Sequence, residues 1–175
     1  PIDDDQVKLV NEYTEQMITR LVAMVGESLA NLAPASLQQS EGMTTFAVNR
    51  RNNREADIPD LLAKGTPLVG PVDHTVPVLT VTRPDGKLEA ILFGYACHPT
   101  TLAWDNTLIS PDYIGALREV VERETGAPCL FLQGASAELG PVEGFLGDPI
   151  VADRNGRQLA YAALSALTAL PSAGT

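Results

Sequence analysis

Apolar residues recur at steps of three and four along residues 6–32, a spacing that places them on one face of a helix. Carboxylates from Asp3 to Asp5 lie at the start of this segment, where they favour the positive end of the helix dipole and cap free N–H groups. Pro34 cannot continue a helix. We therefore predict one long amphipathic helix in the first part of the chain.

The pattern then changes to that of strands. The segment "TVPVLTV" alternates, and a Pro84-Asp85-Gly86 turn separates it from "EAILFGYACH", which predicts a hairpin. Residues 90–97 form a near-continuous apolar run, which predicts a central strand covered on both faces. Before the hairpin, we expect "ASLQQSEG" and "MTTFAVN" to be extended with a bend or bulge at Gly42, and residues 50–71 to form a long surface excursion.

Helix and strand patterns alternate in the last part. "SPDYIGALREVVERETG" predicts a helix with Pro111 at its first position and Gly126 at its end, "APCLFLQG" predicts a second buried strand, and residues 151–170 predict a closing helix. This order is typical of an α/β layered domain, with a central mixed or mostly parallel sheet flanked by helices and a right-handed crossover. For 175 residues and 18.6 kDa we expect one such unit.

Charge and length exclude some classes of function. The 22 acidic and 12 basic residues give a net charge of -10, which repels phosphate backbones and argues against nucleic acid as a partner. No apolar stretch approaches the roughly 20 residues that span a bilayer. Because the chain starts with Pro1 rather than Met, we expect it to be a piece of a longer protein. Cys97 and Cys129 lie in apolar runs and are expected to be free thiols.

The loops that follow Cys97-His98 and Phe131-Leu132-Gln133 are expected to meet at the carboxyl edge of the sheet, where open α/β sheets bind ligands. His98 is therefore a candidate metal ligand, although a lone histidine at a strand end is more often only hydrogen-bonded structure. His74 is the other histidine in the chain. A site that joins both would need a third ligand, for which the candidates are Asp73, Asp105 and Asp112.

Two further motifs have simple structural explanations. The residues around Ser136 read Gly-Ala-Ser-Ala-Glu, which lacks the final glycine of a nucleophile elbow, so a close-packed Gly turn explains them better. The arginines of "VNRRNNRE" are explained either by a solvated basic patch or by a clamp for an anion or a carbonyl group.

Four segments read in order resemble a known family. "FAVNRR", "PVDHTVPVLTV", "LFGYACHPTTLAWDNTLISPDYIGALREVVERE" and "GAPCLFLQGASAELGP" are similar to the N-terminal catalytic domain of the neutral/alkaline non-lysosomal ceramidases, and more closely to bacterial ceramidase-domain proteins of uncertain substrate. The similarity runs over residues 46–141. It implies a zinc-dependent hydrolase that cleaves an amide (N-acyl) or related bond of a small-molecule or lipid substrate, with sphingolipids as the family's own substrates, in a secreted or periplasmic setting.

The resemblance also assigns roles to residues. It makes His98 a ligand of the catalytic zinc and places Arg50 near the substrate amide. The chemistry of amide hydrolysis, and not the resemblance, makes Glu138 or Asp112 a candidate acid or base, or else a carboxylate that orients a zinc ligand. Gly140 stands where the ceramidases proper have their catalytic serine, which leaves ceramide in doubt as the substrate. The family's other zinc ligands, one histidine, one glutamate and one tyrosine, have no counterpart here. We therefore expect the isolated chain to be inactive and to hold no zinc tightly.

A second hypothesis follows from Gly140. A family member that has lost catalysis could serve as a binding module for lipid, glycan or protein. A plain α/β domain that matches these motifs by chance is the third alternative.

Overall fold

The computed structural model describes residues 3–171, apart from the side chain of Asp105. The chain divides into two compact units after Pro34. The elements in chain order are α1 (Asp4–Ala30), β1 (Ser36–Met43), β2 (Ala47–Asn49), α2 (Ile58–Ala63), β3 (Thr75–Thr82), β4 (Leu88–Tyr95), α3 (Tyr113–Thr125), β5 (Cys129–Gln133), β6 (Leu139–Pro141) and α4 (Pro149–Thr168).

The first unit contains the predicted amphipathic helix. Asp3 caps it, because its carboxylate accepts a hydrogen bond from the Gln6 amide at 2.8 Å while the Gln6 side chain accepts one from the Asp3 amide at 3.2 Å. At the other end Asn31 donates to the Glu27 carbonyl. No residue of α1 is buried, and its apolar stripe is exposed to solvent from Val7 to Leu29. The prediction of a long helix is confirmed, with each end shifted by about one half-turn.

The second unit is built on a mixed sheet in the order β1, β3, β4 and β5. β1 and β3 pair antiparallel, β3 and β4 form the predicted antiparallel hairpin, and β4 and β5 pair parallel across α3. In the hairpin turn Gly86 has φ +83°, and the Asp85 side chain accepts from the Lys87 amide. The predicted α/β class and the crossover between parallel strands are both confirmed.

One face of this sheet is covered and the other is open within the second unit. Residues of β3 and β4 that point to the covered face, such as Val78, Ile91 and Phe93, pack with side chains from α3 and α4 and are at most 2% exposed. The neighbouring residues on the other face include Leu130 and Leu132, which are 50% and 57% exposed. β4 therefore alternates between buried and half-buried positions. The prediction that it is covered on both faces is wrong, because helices of this unit pack against one face only.

One helix boundary and one glycine differ from expectation. α3 begins at Tyr113 rather than at Pro111, because Asp112 caps it with a carboxylate that accepts from the Tyr113 amide. Gly126 ends this helix in the left-handed conformation, as predicted. Gly42 lies inside the continuous β1–β3 ladder and makes no bulge. A Cβ there would meet the Ala162 carbonyl oxygen of α4 at 2.4 Å, so close helix packing requires this glycine.

Residues 50–71 form the predicted excursion, which contains the short helix α2 and leaves the end of β2. β2 and β6 form a separate two-stranded antiparallel sheet, in which Asn49 lies opposite Leu139. Both cysteines are buried free thiols. Among the helices of residues 3–171, none is both long and apolar enough to cross a membrane.

Candidate functional site

The carboxyl ends of β4 and β5 meet β2 and β6 at one edge of the second unit, as the sequence predicted for its ligand-binding loops. A cavity of about 320 Å³, which we call the Arg50 cavity, opens there. A larger cavity of about 760 Å³, the Asp73 cavity, lies beside it. His98, Glu138 and the neighbours of Glu138 line both. The Arg50 cavity is lined by Arg50, Arg51, Glu55, His98, Thr100, Ala137, Glu138, Leu139, Gly140 and Phe145.

His98 is held by its main chain and presents an exposed side chain. Its amide donates to the Leu139 carbonyl at 2.9 Å, which ties the end of β4 to β6. The preceding carbonyl, that of Cys97, accepts from the Tyr113 hydroxyl at 2.5 Å and from the Gln133 side chain at 3.0 Å. The imidazole therefore projects from a fixed backbone toward both cavities, a geometry that suits a ligand or proton-transfer group.

Arg50 is mostly buried, with 11% of its side chain exposed. Its Nη2 donates to the Pro141 carbonyl at 2.5 Å, and its Nη1 lies 3.3 Å from a carboxylate oxygen of Glu55. The guanidinium carbon lies 5.2 Å from the centre of the Phe145 ring, a cation–π distance. Arg50 is therefore held by groups of the protein itself and does not belong to a solvated basic patch.

Glu138 is exposed at the rim of both cavities and is oriented by a buried amide. The Asn49 side-chain nitrogen lies 3.3 Å from Glu138 Oε2 and also donates to the Pro71 carbonyl. The side-chain oxygen of Asn49 accepts hydrogen bonds from the amides of Arg51 and Asn52, so this one side chain organises the turn that follows β2. Within residues 3–171 the other Glu138 oxygen makes no hydrogen bond, so it can accept one from a ligand.

Gly140 lies in the Arg50 cavity and pairs with Val48 in the small sheet. Asp112 lies elsewhere. Its two carboxylate oxygens accept from the amides of Leu102 and Tyr113, and it lines a separate depression of about 160 Å³ that also touches Thr100. Its backbone has φ +52°, a strained value for a residue with a side chain. Four of the five predicted site residues thus line the Arg50 cavity. Asp112 does not line it, and its carboxylate instead holds the backbone at Leu102 and Tyr113.

The described residues do not provide a three-ligand metal site. They contain no cluster of three His, Cys, Asp or Glu side chains close enough to hold an ion. His74 lines neither cavity, whereas Asp73 and His98 share the larger one. The Thr75 hydroxyl and amide both donate to Asp73 and lower the pKa of its carboxyl. The proposed third ligands Asp73 and Asp112 therefore complete no site with the two histidines, and the side chain of Asp105 lies outside the described residues.

Sequence reasoning missed several residues that build the cavity. Glu55, Thr100 and Phe145 come from three separate loops, and only tertiary packing brings them to Arg50. Asn49 precedes the arginine that the motif singled out, and its burial to 1% exposure gave no signal in the sequence. A buried Asn at the end of a short strand becomes recognisable only through its four side-chain hydrogen bonds.

Comparison with known proteins yields structural similarity alone. No family model matches the chain, and no curated protein matches it. The crystal structure of neutral ceramidase from Pseudomonas aeruginosa is similar, with a TM-score of 0.63 and 21% identity over 83% of this chain and 24% of that one. A ceramidase complexed with C2 gives a TM-score of 0.62 and 21% identity over 81% of this chain and 23% of that one. The chain thus shares the fold of a neutral ceramidase segment and spans about a quarter of that protein's length.

Proposed function

We propose that this chain carries one wall of the active site of a neutral ceramidase-like hydrolase, which cleaves an amide (N-acyl) or related bond of a lipid or small molecule. The observation that carries the proposal is the convergence of Arg50, His98, Glu138 and Gly140 on one cavity of about 320 Å³. The resemblance in sequence selected these residues, and the fold similarity to neutral ceramidase supports the choice of family.

The chain's own residues suit particular roles in hydrolysis. Arg50 supplies a fixed cationic donor for the carbonyl oxygen of the scissile bond, where negative charge develops during attack. Glu138, oriented by Asn49, is the candidate base that takes a proton from water. Asp112 is a positioning residue, because both of its oxygens already accept backbone hydrogen bonds.

A resident zinc does not fit the described residues by themselves. A catalytic zinc takes about three protein ligands, and the described residues hold no cluster of three candidate side chains. His98 is the ligand that this chain would contribute, so the remaining ligands would have to come from elsewhere. We therefore assign no step of the reaction to zinc in this chain.

A binding module for lipid, glycan or protein is the second candidate function. Two observations favour it: Gly140 brings no reactive side chain to the cavity, and the ligand set is incomplete among the described residues. In that case the Arg50 cavity would recognise a polar head group without cleaving it.

Hydrolysis of a fluorogenic N-acyl amide by the full-length protein tests the proposal. We expect His98→Ala and Glu138→Gln each to lower kcat/KM at least about 100-fold. His74→Ala is the matched control, since that histidine lines neither cavity, and it should retain activity. If the full-length protein binds the amide but does not cleave it, the binding module is the better description. If His98→Ala and His74→Ala behave alike, the site assignment is wrong.

A further inference from the structure

Two buried asparagines join the beginning of the excursion over residues 50–71 to its end. Asn49 is 1% exposed and Asn53 is 5% exposed. The Asn49 side chain donates to the Pro71 carbonyl at 3.1 Å. The Asn53 side chain donates to the Val69 carbonyl at 2.6 Å and accepts from the Val69 amide at 3.1 Å, as a peptide group of a neighbouring strand would. We call these two asparagines the clasp.

The clasp fixes the part of the cavity wall that lies outside the strands. Main-chain pairing with the β6 side ends at the Arg50 amide. Arg51 and Glu55 follow, line the Arg50 cavity and belong to no strand, and Glu55 lies 3.3 Å from Arg50 Nη1. Asn53 lies between them, and its side chain donates a second hydrogen bond to the Asn49 carbonyl at 2.7 Å. The clasp therefore places Arg51 and Glu55, and through Glu55 it places the guanidinium of Arg50.

Ordinary turn chemistry does not explain Asn53. An asparagine in a turn bonds to the backbone within a few residues, whereas Val69 lies 16 residues along the chain. The adjacent Asn52 has the same side chain but is exposed. Gly70 has φ +102°, a conformation that favours glycine, and a Cβ there would lie 2.9 Å from Cγ of Asn49. The end of the excursion is therefore shaped to meet the clasp.

We propose that Asn53 and Asn49 are positioning residues, which hold this wall of the Arg50 cavity in place before any ligand binds. The excursion is then a preformed wall and not a lid that closes over the ligand. One part of the inference rests on the proposed function: in a hydrolase, the clasp keeps the Arg50 guanidinium where it can donate to the carbonyl oxygen of the scissile bond. The clasp itself does not depend on that function.

Amide hydrogen exchange in the native protein tests the clasp without a variant or an activity assay. The Val69 amide donates to a side chain and not to a neighbouring strand, so its protection depends on Asn53. We expect this amide to exchange at least about 100-fold more slowly than in an unstructured peptide. A smaller slowing overturns the proposal, because it would mean that the excursion opens freely.

Limited digestion with trypsin compares the two neighbouring asparagines. Arg54 and Lys64 are exposed and lie within the segment that the clasp closes. We expect Asn53→Ala to raise the rate of cleavage at these two residues at least about tenfold, because the Val69 amide and carbonyl lose their partner. Asn52→Ala is the matched control and should stay within about twofold of the native rate. Equal cleavage of the two variants overturns the proposal.

The split between kcat and KM separates positioning from stability. For hydrolysis of the N-acyl amide by the full-length protein, we expect Asn53→Ala to lower kcat at least about fivefold and to leave KM within about twofold, because misplaced groups weaken transition-state binding more than substrate binding. A loss of kcat that equals the loss of folded protein, measured by circular dichroism, is a stability effect and overturns the positioning role.

The tests also separate the clasp from the proposed function. If the native protein does not hydrolyse the amide while the exchange and digestion results are as expected, the proposed function is wrong and the clasp remains. If Asn53→Ala does not fold, the exchange rate of the Val69 amide in the native protein decides.

Discussion

The two faces of the four-stranded sheet contain similar apolar side chains in different environments. On the covered face, Ile91 and Phe93 are 1% exposed and pack with residues of α3 and α4. On the open face, Leu130 and Leu132 are at least half exposed, and a hollow of about 490 Å³ runs between the strands' side chains and includes Leu92. Burial therefore depends on which helices of the unit reach the sheet, and not on the hydrophobicity of the strand.

The difference also explains where the candidate site lies. The covered face holds the strands rigid, and their carboxyl ends carry His98 and the loop that contains Glu138 to one edge. The Tyr113 hydroxyl reaches from α3 to the Cys97 carbonyl, so the packing of the covered face directly fixes the backbone beside His98.

The largest expected effect on stability comes from truncating two side chains of the same size, one on each face of the sheet. Ile91→Ala should reduce the free energy of unfolding by about 3 kcal/mol, because it leaves a cavity in a closed core. The adjacent Leu92→Ala, half-buried on the open face, should cost less than about 1 kcal/mol. Urea unfolding followed by circular dichroism measures both. Equal losses would mean that the open face is covered in solution.

Glycines on the two faces provide a second comparison. Gly42→Ala should cost about 2 kcal/mol, since the added Cβ would overlap the Ala162 carbonyl oxygen of α4 and backbone cannot easily move away. Gly94→Ala is the control on the open face, where the nearest atom, the Leu132 carbonyl oxygen, lies at an ordinary 3.4 Å. It should change stability by less than about 0.5 kcal/mol. A neutral Gly42→Ala would show that α4 packs less closely on β1 than described.

The smallest expected effect is a loss of folding stability at high pH, which comes from ionisable groups buried on the covered face of the sheet. Burial raises the pKa of the Cys97 thiol and of the Tyr95 and Tyr113 hydroxyls above their ordinary values of 9.0 and 10.0. These groups hold their protons more strongly in the folded chain than in the unfolded one. Their contribution to the free energy of unfolding is therefore fully present below about pH 9, and it is lost as the pH rises above that value.

Unfolding in urea at about pH 8 and about pH 10 measures this loss. Cys97 should account for on the order of 1 kcal/mol of it. Cys97→Ala should therefore flatten the pH dependence, whereas Tyr13→Phe, a change on the exposed surface of α1, should leave it unchanged. If Cys97→Ala and the native chain lose equal stability over this range, the thiol is not the group responsible.

Much of the fold could be predicted because local signals and tertiary structure agree. The helix cap at Asp3, the Pro84-Asp85-Gly86 turn and the left-handed Gly126 each act within a few residues, so the pattern is sufficient to identify them. The Asp112 cap lies one residue after Pro111, which local spacing alone placed inside the helix.

Long-range contacts account for what the sequence could not predict. Gly42 was expected to mark a bend, but its role depends on Ala162, which lies far away in the chain. Likewise the partners of Arg50 include Glu55 and Phe145, and no motif links them. The residues of the candidate site were predicted from a resemblance in sequence, and their arrangement around one cavity came from the fold.

The sequence by itself determined the order of the longer helices and strands, the hairpin and the carboxyl edge at which His98 lies, because periodicity, turn chemistry and capping act over short distances. It did not predict the short elements α2 and β6. The tertiary structure alone decided which face of the sheet is buried, why Gly42 lacks a side chain, and which loops surround Arg50. The physical reason is that burial and steric exclusion are properties of pairs of surfaces, and the two members of each pair lie far apart in the chain.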